Sequence, residues 1–145
     1  MTLLWMVLEK LCGLHGKYID YHLYLTILFA IPAICVMVLA LKIKKNNYDS
    51  GNMNYKQGLV SGIIISAFIA LLSPLTQWIT SYVITPEYFP NVIRRSVELG
   101  YYKTTAEAEA VFNYKSYAIN SSIFAMVFGV ATTAIAMIFL KTKYK

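Results

Sequence analysis

The sequence predicts an all-α integral membrane protein: a helical bundle with three clear transmembrane helices, a short apolar N-terminal helix and an extracytoplasmic helical hairpin. Hydrophobic residues make up 58% of the 145 residues, and charged residues only 14%. Soluble domains contain roughly 45–50% apolar residues. Three apolar segments also approach or exceed the roughly 20 helical residues that a bilayer core requires. At this length we expect one membrane domain, residues 1–145.

The basic residues predict an orientation. Seven lysines follow or precede apolar segments, with Asp49 as the one acid among them: Lys42, Lys44, Lys45, Lys56, Lys141, Lys143 and Lys145. The other six cations are matched by six acids, so the net charge of +6 belongs to one face. Because cytoplasmic loops are enriched in Lys and Arg, we expect loop 43–56 and the C-terminus to be cytoplasmic. This distribution favours the lipid bilayer as partner, and we expect no nucleic-acid binding.

The N-terminal residues 1–14 form a short apolar helix, about 21 Å long, which cannot span a bilayer. They lack the basic start and small-residue cleavage pattern of a signal peptide, so we expect an interfacial or partial helix. Residues 22–42 form the first transmembrane helix, in which Pro32 predicts a bend. A polar turn rich in Asn and Gly leads to the second transmembrane helix, residues 57–84. Residues 117–140 form the third.

Small residues recur along two of these helices and predict where they pack. The central helix carries Gly58, Ser61, Gly62 and Ser66, and the last helix carries Ser121, Ala125, Gly129 and Thr133. Small side chains allow close approach of helix backbones in membranes. We therefore predict that these two stripes contact each other.

The second half of the central helix is more polar than the first, and we predict a kink at Ser73–Pro74. A possible polar cluster comprises Thr76, Gln77, Thr80 and Asn120. Such residues usually form hydrogen bonds between helices. The alternative is that they line a path for a small solute.

Residues 85–115 predict the helical hairpin on the extracytoplasmic side. Pro90 is at an allowed first-turn position of a helix that Gly100 ends. Thr104 and Glu107 match a capping box at the start of a second helix. Aromatic residues in and beside this segment are typical of a piece that lies on the headgroup layer.

Few residues in the chain can do chemistry. Glu9 is a possible intramembrane acid, and intramembrane ionisable residues are functional candidates. We expect it to lie close to water in a structural role, either paired with Lys10 or Lys17 or extending its carboxylate outward to water. His15, Asp20 and His22 match no compact metal motif, and we expect solvated histidines, no metal site and no cofactor.

The segments YKQGLVSG from Tyr55, LSPLTQ from Leu72, ITPEYF from Ile84 and EAEAVFNYKSY from Glu107 resemble an uncharacterised bacterial membrane family. This family is domain of unknown function 4199, found mainly in Bacteroidota. The resemblance covers nearly the whole chain and implies four membrane helices, an outer helical loop and the bacterial inner membrane. Here only about a dozen residues precede Gly13, so either the chain starts late or the first helix is a stub.

These observations predict a non-enzymatic membrane protein, since convergent ionisable groups, a nucleophile motif and a phosphate-binding loop are lacking. We expect a self-associating bundle or an accessory subunit of a larger membrane complex. The alternative is a small-solute channel or carrier near Gln77 and Asn120. Cys12 and Cys35 fall in apolar segments, where we expect them to be small buried hydrophobes.

Overall fold

A computed structural model describes residues 1–48 and 50–142, and these residues contain no β-strand. The helices are α1 (Thr2–Leu11), α2 (Ile19–Thr26), α3 (Ala30–Asn47), α4 (Tyr55–Ile79), α5 (Tyr88–Glu98), α6 (Thr105–Val111) and α7 (Tyr114–Leu140). A 3-10 turn, Ile27–Phe29, joins α2 to α3, and a π-helical turn, Thr80–Ile84, follows α4. Asp49, Lys143 and Lys145, which contribute to the predicted orientation, lie outside the described residues.

Three helical segments are long and apolar enough to cross a membrane: Ile19–Asn47, Tyr55–Ile84 and Thr105–Leu140. They contain 29, 30 and 36 residues, more than the roughly 20 that a bilayer core requires. The predicted all-α membrane protein with three transmembrane helices is therefore confirmed. Helix α1 has ten residues and lies outside these segments.

Two prolines affect the first two spans differently. Pro32 is the third residue of α3 and follows closely on the 3-10 turn, so the helical geometry of the first span changes within about one turn before this proline. Helix α4 contains Pro74 and continues through it to Ile79. The irregular geometry comes later, in the π-helical turn, where the Thr85 backbone N–H donates to the Thr80 carbonyl over 2.8 Å. Membrane helices tolerate an internal proline because neighbouring groups and local changes of helix geometry satisfy the freed backbone groups.

The chain groups into two compact units. The hairpin unit comprises Met1–Phe29 and Ser73–Ser121, and the stripe unit comprises Ala30–Leu72 and Ser122–Lys145. One boundary between them falls between Leu72 and Ser73, where the sequence changes from apolar to polar.

Close packing of α4 against α7 organises the stripe unit. Side-chain atoms of Thr133 lie where a Cβ at Gly62 would be, and those of Ser66 lie where a Cβ at Gly129 would be. The Ser66 hydroxyl donates to the Gly62 carbonyl over 2.7 Å, and the Thr133 hydroxyl donates to the Gly129 carbonyl over 2.8 Å. Each hydroxyl is thus satisfied on its own helix, and the contact between the helices is van der Waals packing.

The remaining small residues of the predicted stripes occupy different surroundings. Gly58 lies against the Met137 side chain, and Ser61 is buried and donates to the Gln57 carbonyl. Ala125 is half-buried in the stripe unit. Ser121 belongs to the hairpin unit, where its hydroxyl donates to the Ala118 carbonyl.

The lysine-rich end of the stripe unit is held by a methionine core and by backbone bonds. Met37, Leu41, Met53 and Met137 are buried together. Met53 and Thr142 exchange two hydrogen bonds, one from each backbone N–H, over 3.0 and 2.9 Å. The Lys45 ammonium donates to the Leu140 carbonyl over 2.9 Å. A cation at this position stabilises the C-terminus of α7.

Replacement of Gly129 by Leu is expected to destabilise the stripe unit. The new side chain must displace Ser66 and meet Met37, and overpacking of this kind typically costs about 1–3 kcal/mol. The matched control is Ala131→Leu, two residues along α7, because Ala131 is exposed. Thermal unfolding in detergent measures both variants, and equal unfolding temperatures for the two would contradict the packing role.

Candidate carboxylate–imidazole site

A glycine turn at the end of α1 positions the first residues of the site. Gly13 has a φ of 77°, which glycine adopts without strain. The Leu14 N–H donates to the Glu9 carbonyl over 3.0 Å, and the Gly13 N–H donates to the Lys10 carbonyl over 2.9 Å. This pair of bonds is the Schellman motif, which reverses the chain at a helix end. As a result, His15 follows directly on a turn anchored to the Glu9 backbone.

The Glu9 carboxylate lies at the centre of the site. Its Oε2 atom is 3.1 Å from the Nε2 atom of His15 and 3.3 Å from the Nε2 atom of His22. Its Oε1 atom accepts a hydrogen bond from the Trp5 indole over 2.6 Å. The side chains of Glu9 and His15 are 3% exposed, and that of His22 is 18% exposed. A buried carboxylate therefore joins α1 to the turn that follows it and to α2.

Helix α5 supports the two imidazole rings from another side. The Asn91 amide donates to the His15 carbonyl over 2.9 Å. The Tyr88 ring centroid lies 5.3 Å from that of His15 and 5.0 Å from that of His22. The Tyr88 hydroxyl is hydrogen-bonded to the Tyr117 hydroxyl over 3.3 Å, so the Tyr88 ring, and not its hydroxyl, is the part that packs near the imidazoles. These contacts restrict the ring orientations, which a ligand site requires.

The electrostatics of the site favour an ionised carboxylate. Burial raises the pKa of Glu9, but hydrogen bonds from His15, His22, Thr26 and Trp5 outweigh it and hold the pKa below its usual value. The pKa of Tyr88 changes in the opposite direction: burial raises it, with a smaller contribution from Tyr117. At neutral pH the site therefore contains a carboxylate anion beside a neutral phenol.

One ring nitrogen in the site is not paired. The Nδ1 atom of His15 is buried and has no hydrogen-bond partner among the described residues. Leaving a buried polar atom without a partner costs about 1–3 kcal/mol. Hydrogen bonding to Glu9 therefore satisfies one side of this ring and not the other.

The three side chains form a potential metal-ligand set. One carboxylate oxygen and one nitrogen from each imidazole lie within 4.8 Å of one another. Two histidines and a glutamate are a known zinc ligand set. The same groups can also act as a purely structural hydrogen-bonded cluster, because each imidazole can donate to the carboxylate.

The structure corrects two expectations about this region. Glu9 does not pair with Lys10 or Lys17; the Lys10 ammonium donates to the Ile84 carbonyl and lies 3.5 Å from Glu87. His15 is buried and not solvated. Asp20, the third residue considered in the sequence, accepts two hydrogen bonds of 2.7 Å from Arg95. The geometry of the Gly13 turn determines which carboxylate meets the histidines, and sequence spacing alone does not reveal it.

The predicted polar cluster is only partly brought together. The hydroxyls of Thr76 and Thr80 donate to the carbonyls of Ser73 and Thr76, and the Gln77 amide donates to the Ser81 hydroxyl. All these bonds are local to one helical segment, as is common for Ser and Thr in helices. Asn120 is exposed, and among the described hydrogen bonds none joins it to Gln77.

Both cysteines are exposed, contrary to the expectation that they are buried. Cys12 follows α1, and Cys35 lies on α3 within the first span. Apolar side chains in a membrane protein need no cover from their own chain, because lipid is as apolar as a protein core. Apolar context therefore does not predict burial here.

Comparison with protein families identifies the chain. The family model described as "Protein of unknown function (DUF4199)" matches residues 1–142. The chain belongs to this family. Searches of curated proteins and of solved structures found no match.

Replacement of Glu9 by Gln is expected to lower the free energy of unfolding by about 1.5–3 kcal/mol, the usual contribution of a hydrogen bond to a charged group. The amide nitrogen of Gln cannot accept from Trp5 or from the imidazoles. The control is Glu87→Gln, which removes a half-exposed carboxylate paired with Lys10 and should cost below about 1 kcal/mol. Thermal and denaturant unfolding in detergent compare the two, and an equally small effect of both variants would contradict a structural role for Glu9.

Proposed function

We propose that this chain is a non-enzymatic membrane protein of the bacterial inner membrane that functions by assembly, as a self-associating bundle or as an accessory subunit of a larger membrane complex. The observation that carries this proposal concerns the first span. Of its most apolar stretch only 6% is buried within the chain, against 28% for each of the other two spans. A helix with so few contacts of its own is the part of the chain best suited to pack against another membrane helix.

The small-residue stripes also favour the first span as the assembly surface. Around Gly62 and Gly129 these stripes are already occupied by contacts between α4 and α7, so they are not free to bind another chain. The first span, in contrast, has large apolar side chains exposed along α3: Ile31, Ile34, Val36, Leu39 and Ile43. Packing between apolar helices in lipid depends on van der Waals complementarity, which exposed apolar side chains of this kind can supply. We therefore assign α3 as the assembly surface.

The pairing of ionisable groups supports a non-enzymatic role. Lys10 is engaged with Glu87, and Arg95 with Asp20 and Glu98. An active site requires a nucleophile or general base directed at a space where substrate can bind. These five charged groups instead face one another.

The channel or carrier alternative requires a continuous polar path near Gln77 and Asn120. The local hydrogen bonds of Thr76, Gln77 and Thr80 agree better with helix stabilisation than with such a path. Solute flux into proteoliposomes tests this alternative directly. Flux that disappears in a Gln77→Leu variant would favour transport over assembly.

Cys35 offers a native probe of self-association through the first span. In a Cys12→Ser variant, Cys35 is the sole cysteine, and it is exposed on α3. If two copies pack through this span, oxidative cross-linking in membranes should give a dimer. Cys35→Ser, which keeps only Cys12, is the matched probe outside the span and should cross-link less.

Variants and purification separate the two forms of assembly. Leu39→Trp should weaken a contact made by α3, whereas Ile135→Trp, at an exposed position of α7, should not. Purification in mild detergent followed by mass measurement then identifies a homo-oligomer or a stoichiometric second protein. A monomer without a partner under these conditions would contradict the proposal.

The proposed topology has loop 43–56 and the C-terminus in the cytoplasm and hairpin 85–115 outside. The described lysines of the stripe unit support it, because basic residues favour the cytoplasmic side. In a variant with both native cysteines replaced by serine, Lys103→Cys should react with an impermeant maleimide from outside spheroplasts. Lys56→Cys should react only after lysis, and the reverse pattern would overturn the topology.

A further inference from the structure

We propose that Glu9, His15 and His22 form a binding site for a divalent transition-metal ion of the zinc class. This inference does not depend on the proposed assembly, because the three ligands belong to one chain and one unit. It departs from the sequence-based expectation that the chain has no metal site. Three independent features of the hairpin unit carry it.

The first feature is the spacing of the ligand atoms. Zinc binds histidine nitrogen and carboxylate oxygen at about 2.0–2.2 Å, so neighbouring ligands of a tetrahedral ion are about 3.3–3.6 Å apart. The Glu9 oxygen lies 3.1 Å from one histidine nitrogen and 3.3 Å from the other. All three ligand atoms lie within 4.8 Å. The two separations from Glu9 are thus close to those of a tetrahedral ion, and binding requires the two histidine nitrogens to lie at a similar distance from each other.

The second feature is the chemical nature of the donors. Calcium and magnesium prefer sites built from oxygen ligands, whereas imidazole suits zinc, copper, iron and nickel. Two imidazoles and one carboxylate therefore select a transition metal over the common alkaline-earth ions. Three protein ligands also leave a tetrahedral ion one position for a water molecule or another small ligand.

The third feature is the state of the His15 ring. A neutral imidazole has a hydrogen on one nitrogen only, and an ion on Nε2 requires that hydrogen on Nδ1. The Nδ1 atom of His15 is buried, and no described residue donates a hydrogen bond to it. No bond at Nδ1 therefore opposes a shift of the ring hydrogen from Nε2, where it bonds Glu9, to Nδ1 when an ion binds. The Asn91 bond to the His15 carbonyl holds the backbone without using the ring.

The surroundings also provide support and access. The Trp5 indole donates to the Glu9 oxygen that does not face the histidines, which orients the carboxylate. Tyr88 packs on both rings and excludes bulk water from one side. His22 is the most exposed of the three ligands and marks the side from which an ion can enter.

The sequence permits a sharp test, since His15 and His22 are the only histidines in the chain. Untagged full-length protein in detergent is stripped with a chelator and titrated with Zn²⁺ in competition with a chromogenic chelator. We expect one Zn²⁺ per chain. Addition of Co²⁺ should produce the intense visible absorption of a tetrahedral ion, and Zn²⁺ should abolish it.

Variants link that signal to the three ligands. Glu9→Gln and His22→Gln should each lower the Zn²⁺ affinity at least about 100-fold, and Trp5→Phe about 10–100-fold through the orientation of Glu9. Glu87→Gln, a carboxylate of the same unit outside the ligand set, should leave the affinity unchanged. Since His22 is partly exposed, its variant is expected to fold even if the Glu9 variant does not.

Two outcomes would overturn the proposal. One is the absence of stoichiometric Zn²⁺ binding by the folded wild-type protein, which would leave the cluster a structural hydrogen-bonded network. The other is binding that His22→Gln leaves unchanged, which would place the ion at a different site. Circular dichroism of each variant confirms that a lost signal does not reflect unfolding.

Discussion

The bonds between one buried carboxylate and two imidazoles hold the hairpin unit together at its N-terminal end. Helix α1 has only ten residues, too few to span a bilayer, and isolated helices of this length are marginal in water. The Glu9 carboxylate connects α1 with the following turn and with α2, while Lys10 connects α1 to the end of the π-helical turn. A short helix is thereby fixed by polar contacts to the rest of the hairpin unit.

The two units use different physical means of stability. In the stripe unit, Gly62 and Gly129 permit close contact between α4 and α7, and each hydroxyl of the contact bonds its own helix. In the hairpin unit, directed bonds between distant residues dominate, such as the two from Arg95 to Asp20. Membrane helices pack through shape, whereas segments near an interface can use charge without the full cost of desolvation.

The sequence predicts the helices well because membrane spans follow from length and hydropathy, which are local properties. The sequence also predicts the ends of the hairpin helices. Gly100 ends α5 in the left-handed conformation, and Thr104 caps α6 by accepting a hydrogen bond from the Glu107 N–H. The sequence does not predict the candidate site, because its three ligand residues come from a helix, a turn and a second helix. Their meeting depends on the angle that the Gly13 turn gives the chain, and no spacing rule encodes that angle.

The approach of both imidazoles to one carboxylate oxygen is the observation on which the ligand site depends. His15 and His22 each present Nε2 to Oε2 of Glu9, over 3.1 and 3.3 Å. Without an ion, each Nε2 donates its hydrogen to the carboxylate, because an ionised carboxylate only accepts. An ion bound to the two nitrogens and the oxygen replaces both hydrogen bonds and requires each ring hydrogen on Nδ1. The unpaired Nδ1 of His15 costs stability in both states, so the geometry of the three ligand atoms and the choice of imidazole as donor carry the distinction.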